Sequence, residues 1–273
     1  MDFASGEVLQ EEMERARSFA KEGRFEEALK SYMRVFEDGR QYSPFVGVRL
    51  SYCLSETVEL GRVYEPAMEK LIELRNAHET SMCSGDYNLF SLQEWDALNQ
   101  HIDVSHQIKF YDSLKQDPRK NDALMQAVRH VIWLKLIDMK RYHELSAVEL
   151  AQKLSENSMM AFIQLSPDGL MNKMFAAKNE SASLKEHSLK SLLMHAGAIY
   201  ECALGIKKQS LAKKAYELIM QYQKTGRGYA ALITHASRAG ATTRAQKLLT
   251  EAKTRLSESQ LQVIRDLQKK LNL

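Results

Sequence analysis

Histidine and carboxylate side chains that lie close together in the sequence are the first candidates for chemistry. His101, Asp103 and His106 form the densest such group, and imidazole and carboxylate groups are both metal ligands. On a single helix, however, the five-residue spacing separates the two imidazoles by roughly 140° around the helix axis. We therefore expect these side chains to be packed or solvated, and we expect no metal site.

Sequence motifs of known catalytic machinery are missing. His143 and Glu144 begin a pattern like that of zinc proteases, but Ala147 stands where the second histidine is required. The sequence contains no GxxxxGK phosphate loop, no GxSxG nucleophile turn and no GxGxxG dinucleotide motif. We therefore expect no catalytic residues, no cofactor and no enzymatic activity.

The composition favours long helices. Only 12 Gly and 4 Pro interrupt 273 residues, and the commonest residues are good helix formers. Cys53, Cys83 and Cys202 are far apart and form no CxxC pair, which argues against zinc sites and disulfides. The first residues lack the basic and apolar regions of a signal peptide, and no apolar run is long enough for a membrane span. We expect a cytoplasmic all-α protein.

The formal net charge of +3 hides an uneven distribution. From Lys185 onward the chain has 16 Lys or Arg and 6 Asp or Glu, a net charge of +10, whereas the first 184 residues have a net charge of −7. Such a separation affects association with partners more than it affects the fold.

The clearest repeated pattern lies in the stretch RARSFAKEGRFEEALKSYMRVFEDG, residues 15–39. Ala16 and Phe19 share one face of a first helix. Gly23 supplies a turn, and a second helix opens at Phe25. Small residues allow two antiparallel helices to approach closely, and aromatic side chains fill the space beside them. The pattern predicts a helical hairpin.

This hairpin resembles the tetratricopeptide repeat. Seven residues match the family's small, aromatic, glycine and alanine positions: Ala16, Phe19, Gly23, Phe25, Ala28, Tyr32 and Val35. The resemblance implies an α-solenoid, a right-handed superhelix of antiparallel helical hairpins. It also implies that the first helix of each hairpin lines a concave groove for a partner.

Four further stretches repeat the pattern less completely. A second unit runs from Leu54 to Leu74, with a turn at Gly61. Near the other end, a unit centred on Ala245 follows one centred on Ala212 by 33 residues, close to the family's period of about 34. A middle hairpin around Trp133 has a second helix that reads equally well in two registers.

We expect one domain over residues 1–273, with two hairpins in 1–80, an irregular helical middle in 81–183, and basic hairpins with a capping helix in 184–273. Capping boxes, in which Ser precedes Glu or Gln by three residues, place helix starts at Ser91, Ser183 and Ser257. The first of these predicts one long helix that ends before Asp117. Loops are expected at 82–90 and 178–183.

The resemblance also places residues in the groove. The groove-lining positions of the family carry over to Met13, Arg17, Lys21, Arg49, Tyr52, Glu56, His130, Leu134, Arg227, Thr234 and Arg238. Cations near both ends favour an acidic peptide. Met13 and Arg17 stand where the carboxylate clamp of chaperone-binding members needs Lys and Asn, so we do not expect binding of chaperone tails.

The leading prediction is a non-catalytic scaffold or adaptor that binds a protein or peptide partner, without a membrane association. The alternative is a polyanion- or nucleic-acid-binding module that uses the basic C-terminal third: Lys207, Lys208, Lys213, Lys214, Lys224, Arg227, Arg238 and Arg244. A third possibility is a head-to-tail homo-oligomer, in which the basic end meets the acidic end of a neighbouring subunit.

Overall fold

The computed structural model describes residues 6–116, 122–170 and 181–271, and in these ranges it contains thirteen main helices and no strand. The all-α prediction is therefore confirmed. The helices are α1 (Gly6–Lys21), α2 (Phe25–Asp38), α3 (46–61), α4 (Glu65–Cys83), α5 (Leu89–Ile102), α6 (His106–Gln116), α7 (Asp122–Asp138), α8 (Ala147–Leu165), α9 (Ser181–Gly205), α10 (Gln209–Tyr222), α11 (Gly226–Arg238), α12 (Thr242–Arg255) and α13 (Glu258–Leu271).

The chain divides into two compact units, unit 1 (Met1–Ile132) and unit 2 (Trp133–Leu273), with the boundary inside α7. Within unit 1, α1 pairs with α2, and α3 and α5 both pack against α4. Within unit 2, α9 pairs with α10, α11 pairs with α12, and α9, α11 and α13 pack successively against one another. Antiparallel helical hairpins are thus the building blocks of both units.

The first hairpin has the local structure that its residues predict. Gly23 adopts φ of +77°, a left-handed conformation that lets the chain reverse after α1 and that disfavours any residue with a Cβ. Ala16 and Ala28 are fully buried where the two helices meet. Tyr32 and Val35 complete the buried face of α2, so this hairpin forms its own part of the core.

The same turn recurs at four other places. Gly85, Lys140, Lys207 and Gly240 also have positive φ. At each turn the next amide N–H donates to the carbonyl five residues earlier, which closes the end of the helix. The five hydrogen bonds are Arg24 to Phe19, Asp86 to Ser81, Arg141 to Leu136, Lys208 to Ala203 and Ala241 to Ala236.

Burial follows four of these five turns with a constant offset. The residue five positions after the positive φ is a buried alanine at three turns, namely Ala28, Ala212 and Ala245, and Leu145 at a fourth. After Gly85 the corresponding residue, Phe90, is 64% exposed. The residue twelve positions after the positive φ is buried in α2, α10 and α12 as well: Val35, Ile219 and Ala252. In the hairpins that contain Ala28, Ala212 and Ala245, a short side chain on the second helix therefore allows the two helices to approach closely.

Several predicted boundaries differ from the structure. The single long helix expected from Ser91 is two helices, α5 and α6, because Asp103 accepts hydrogen bonds from the Ser105 amide (2.9 Å) and hydroxyl (2.7 Å) and so breaks the chain between them. The cap of α5 is Asn88, which exchanges hydrogen bonds with Ser91. The predicted helix start at Ser183 lies inside α9, which is already helical at Ser181, the first described residue of that range.

The middle hairpin, whose register was open, is also resolved. A short 3-10 helix, Tyr142–Glu144, follows the turn at Lys140, and α8 begins at Ala147 behind a capping box formed by Ser146 and Glu149. Of the predicted loops, residues 84–88 are indeed non-helical, whereas 178–180 lie outside the described residues. In the described part of the chain, no helix has the combination of length and apolar character that a membrane crossing requires.

The non-glycine turns provide a test of this geometry. Lys207 has φ of +59°, and this conformation costs a residue with a Cβ on the order of 1 kcal/mol relative to glycine. We expect Lys207→Gly to raise the free energy of unfolding by about 0.5–1 kcal/mol, measured by urea denaturation. Lys208→Gly, at φ of −93°, is the matched control and should not stabilise the protein. A Lys207→Gly variant less stable than wild type would contradict this account of the turn.

Candidate functional site

Two of the predicted groove residues of unit 1, Arg17 and Glu56, are in direct contact. Arg17 on α1 forms a bidentate ion pair with Glu56 on α3, with distances of 2.9 Å from Nε to Oε2 and 2.7 Å from Nη2 to Oε1. The Tyr32 hydroxyl donates to the same carboxylate at 3.1 Å. Burial and this hydrogen bond raise the pKa of Tyr32, so the hydroxyl stays a donor. The pair joins the first helices of two hairpins.

An open hollow of about 440 Å³ lies beside this pair. Its lining is Arg17, Ala20, Lys21, Phe25, Tyr32, Glu56, Glu59, Leu60 and Val63. Apolar and aromatic side chains cover most of the surface, and Val63 is 67% exposed. Charged groups stand around these side chains, an arrangement that suits an apolar anchor from a partner.

The charges around the hollow are unequally matched. Arg17 is paired with Glu56, and Glu59 is paired with Arg62 at 2.7 Å. Lys21 is exposed and makes no ion pair with any described residue. The unmatched charge of the hollow, which we call the α1–α3 hollow, is therefore positive.

Two predicted groove residues of unit 1 are in the core instead. Met13 and Arg49 are each only 2% exposed, so the expectation that they line an open groove is corrected. Met13 belongs to the apolar cluster between α1 and α2. Arg49 lies in a π-helical turn, Arg49–Cys53, in the middle of α3, and points inward. Tyr52 in the same turn is 65% exposed, but it does not line the hollow.

Arg49 is buried because Glu94 on α5 meets it. Arg49 Nη2 lies 2.7 Å from Glu94 Oε1, and Arg49 Nε donates to the carbonyl oxygen of Phe36 at 2.8 Å. Arg40 reaches both oxygens of Glu94 at 2.8 and 2.7 Å. His78 Nε2 lies 3.2 Å from Oε2. This Glu94 cluster joins α2, α3, α4 and α5.

The pKa of Glu94 reflects these partners. Burial by itself would raise the pKa, but the hydrogen bonds from His78 and Arg40 and the charge of Arg49 outweigh it and lower the pKa to about 2. The carboxylate is therefore ionised at all ordinary pH values. The cluster is a structural centre rather than a source of protons for catalysis.

Unit 2 contains a second buried carboxylate. Glu201 on α9 is fully buried, and it accepts a hydrogen bond from the Tyr142 hydroxyl at 2.8 Å. His235 Nδ1 lies 2.7 Å and Arg238 Nε 3.1 Å from Glu201 Oε2. Arg238 also reaches Asp138 at 2.7 Å. The predicted groove cation Arg238 thus links α7, α9 and α11 through this Glu201 cluster.

Two glycines make room for the partners of Glu201. Gly197 and Gly205 lie one turn before and one turn after Glu201 on α9. A Cβ at Gly197 would stand 2.4 Å from His235 Nε2, and a Cβ at Gly205 would stand 2.3 Å from the Tyr142 ring. Both distances are too short for any side chain, so the glycines let the imidazole and the phenol lie against the helix.

The remaining predicted groove residues have simple positions. Arg227 on α11 pairs with Glu186 on α9 at 2.7 Å, and both side chains are exposed. Thr234 donates to the carbonyl of Ala230 within its own helix. His130 is exposed on α7, and Leu134 is half-buried on the same helix. Within unit 2, the Arg227 and Thr234 contacts are separate from the Glu201 cluster that holds Arg238.

His101, Asp103 and His106 do not form a group that could hold a metal ion. His106 Nε2 lies 2.9 Å from Glu79, which also accepts from Trp95, and the Asp103 carboxylate accepts from Ser105 between α5 and α6. Glu144 pairs with Arg141 at 2.6 Å. Among the described residues, no group of three His, Cys, Asp or Glu side chains is arranged to hold a metal ion.

Sequence reasoning missed Glu94 and Glu201, the two glutamates at the centres of these clusters. Glu201 could have been found, because it is the one Asp, Glu, Lys or Arg residue between Lys190 and Lys207, and a lone charge in an apolar stretch needs partners. Glu94 gives a weaker signal, since its neighbours include Gln93 and Asp96. Comparison with known proteins adds no family assignment, because no protein-family model, no curated protein and no solved structure matches this chain.

The Glu94 cluster leads to a stability prediction. Glu94→Gln leaves Arg49 buried without a counter-charge, so we expect the free energy of unfolding at pH 7 to fall by about 3–5 kcal/mol. Glu73→Gln, which removes the exposed partner of Lys70, is the control and should cost less than about 1 kcal/mol. Equal effects of the two substitutions in urea denaturation would rule out the central role of Glu94.

The same cluster predicts a pH dependence. The pKa of Glu94 is lower in the folded protein than its ordinary value of 4.5, so its contribution is complete above that value and is lost as the pH falls towards about 2. We expect the stability difference between wild type and Glu94→Gln to shrink over this interval. Urea denaturation at a series of pH values measures it, and a difference that stayed constant would contradict the assignment.

The glycines of α9 provide a second stability prediction. Gly197→Ala forces His235 away from Glu201, so we expect a loss of about 1–3 kcal/mol in the free energy of unfolding. Gly47→Ala is the matched control, because a Cβ at this helical glycine meets no atom within 4 Å, and it should be neutral or slightly stabilising. Thermal unfolding of both variants gives the comparison, and a neutral Gly197→Ala would show that the imidazole is not held there.

Proposed function

We propose that this protein is a non-catalytic scaffold of the tetratricopeptide-like type, an α-solenoid that binds a peptide or protein partner in the cytoplasm. Recurring hairpin turns with buried alanines at a fixed offset support the helical-repeat interpretation. Cys53 and Cys202 are buried thiols, which fits a reducing compartment. The proposal extends the resemblance of residues 15–39 to the rest of the chain.

The observation that carries the proposal is the α1–α3 hollow. It lies between the first helices of two consecutive hairpins, where the tetratricopeptide resemblance expects a partner. Its apolar lining offers favourable burial to an inserted side chain, at roughly 25 cal/mol for each Å² of apolar surface removed from water. The Arg17–Glu56 ion pair holds the two helices at the spacing that keeps the hollow open.

The charges around the hollow indicate the chemistry of the partner. Glu56 and Glu59 already have arginine partners, whereas Lys21 has no acidic partner among the described residues. A peptide that inserts an apolar side chain and places Asp or Glu beside it satisfies both features. We therefore propose an acidic peptide segment with an apolar anchor as the partner.

The experiment uses two exposed positions of the hollow. The readout is recovery of the partner in affinity purification followed by mass spectrometry. We expect Val63→Asp to abolish recovery, because it places a negative charge on the apolar surface. We expect Lys21→Glu to weaken recovery, because it places a negative charge against the acidic segment. Val148→Asp is the matched control: Val148 is an exposed valine of unit 2, and this variant should recover the same partner as wild type.

Circular dichroism establishes that each variant is folded before the comparison is made. Recovery of the same proteins by wild type and by folded Val63→Asp would exclude the α1–α3 hollow as the binding site. Loss of the partner with Val148→Asp as well would show that the recovered protein is bound elsewhere or that the substitutions act without site specificity.

A further inference from the structure

Arg244 on α12 is a half-buried arginine without a carboxylate. In the same unit, Arg238 forms ion pairs with Asp138 and Glu201, and Arg255 forms one with Glu251. Arg244 makes no ion pair with any described residue. Its Nε donates instead to the Tyr200 hydroxyl at 2.9 Å. A cation that is partly removed from water and has no anionic partner is stabilised when an anion binds to it.

The guanidinium is nevertheless held in place. Tyr200 is 1% exposed, so the hydroxyl that contacts Arg244 is fixed by the core, and the guanidinium carbon lies 5.2 Å from the centre of the Tyr216 ring. Glu251 on α12 could have neutralised Arg244. Its carboxylate instead accepts hydrogen bonds from Tyr216 and Tyr229 and pairs with Arg255. Arg244 is therefore oriented before any ligand arrives, which reduces the entropy lost on binding.

A hollow of about 480 Å³ surrounds this guanidinium. Its lining is Tyr200, Leu204, Gln209, Ala212, Lys213, Thr243, Arg244 and Lys247. Three side chains of this lining are cationic and none is acidic. Lys213 also lies 3.7 Å from Glu217, in an exposed and solvent-screened pair. We call this surface the Arg244 hollow.

Two helix N-termini add to the positive potential of the Arg244 hollow. Gln209 and Ala212 belong to the first turn of α10, and Thr243 and Arg244 belong to the first turn of α12. Neither helix has a side-chain cap at its preceding residue, Lys208 or Ala241. The partial positive charges of both helix ends therefore act on the same small volume as the three cations.

The positive surface is compact rather than extended. The next hollow along α12 is lined by Thr243, Gln246, Lys247, Thr250, Glu251 and Thr254, so a carboxylate appears within two turns of Arg244. A nucleic-acid backbone needs cations spaced along a track. The charge pattern here favours a single concentrated anion over a polyanionic chain.

We propose that the Arg244 hollow binds a phosphate monoester. A phosphate monoester carries nearly two negative charges at pH 7 and has three acceptor oxygens, which Arg244, Lys213, Lys247 and the Thr243 hydroxyl match. The hollow is larger than a phosphate group, and Leu204 and Ala212 provide an apolar wall for the organic part of the ligand. This site goes beyond the scaffold function, since it is built from α9, α10 and α12 of unit 2 and does not involve the α1–α3 hollow.

Isothermal titration calorimetry with inorganic phosphate, glycerol 3-phosphate and a phosphoserine peptide tests the site. We expect saturable binding of all three, with tighter binding of the probes that carry an organic group; whichever of the two organic probes binds more tightly identifies the source of the phosphate. Because the phosphate becomes a monoanion below pH of about 6, the affinity should fall as the solution is made more acidic.

Substitutions locate the binding. Lys247→Gln changes an exposed lining residue and should lower the affinity about tenfold, as expected for loss of one charge-assisted contact. Arg244→Gln should lower it further, and Tyr200→Phe, which frees the guanidinium, should give a smaller loss. Lys253→Gln is the matched control, because Lys253 is an exposed lysine of α12 outside the lining, and it should bind like wild type.

Thermal unfolding confirms that Arg244→Gln and Tyr200→Phe are folded, and Lys247→Gln provides an independent test if they are not. The proposal is overturned if none of the probes shows saturable binding, or if Lys253→Gln weakens binding as much as Lys247→Gln. A single-stranded oligonucleotide that binds more tightly than the phosphate monoesters, with a loss in Lys253→Gln, would show an extended polyanion surface instead.

Discussion

The cost of burying a carboxylate organises both units of this protein. Glu94 and Glu201 are almost completely removed from water, and an ionised carboxylate in such a position is unstable unless hydrogen-bonded cations surround it. Each glutamate meets this requirement with side chains from neighbouring elements: Arg40, Arg49 and His78 around the first, and Tyr142, His235 and Arg238 around the second. The helices that carry these partners are held at specific positions, which apolar packing alone does not require.

This arrangement changes the meaning of the charged groove positions. Arg17, Arg49, Arg227 and Arg238 are all paired with an acidic residue of another helix. Their charges are largely neutralised within each unit, so these arginines hold a neighbouring helix in place rather than bind an external ligand. The surface that remains for a partner is the apolar part of the α1–α3 hollow, with Lys21 beside it. Binding there depends more on shape and burial than on a strip of cations.

Local features of the fold could be predicted from the sequence, but long-range pairs could not. Gly23, Ala16 and Ala28 predict the first hairpin correctly, because turn conformation and helix contact depend on residues close together in the chain. Arg49 and Glu94 are 45 residues apart, and nothing in their immediate neighbours distinguishes a buried arginine from an exposed one. The π-helical turn at Arg49–Cys53 adds to the difficulty, since it rotates the side chains away from their expected positions on a regular α-helix. The break at Asp103 was missed because a single Asp and Ser pair ended α5.

The comparison of Arg238 with Arg244 shows where unsatisfied charge remains in unit 2. The two residues lie on opposite sides of one turn, Arg238 at the end of a first helix and Arg244 at the start of a second. On the first helices, the cations meet Glu186, Glu201 and Asp138. On the second helices, Arg244 meets only the Tyr200 hydroxyl and the Tyr216 ring, and the adjacent lysines increase the positive potential. The groove positions that the resemblance implies lie on first helices, whereas Arg244, which makes no ion pair with any described residue, lies at the start of a second helix.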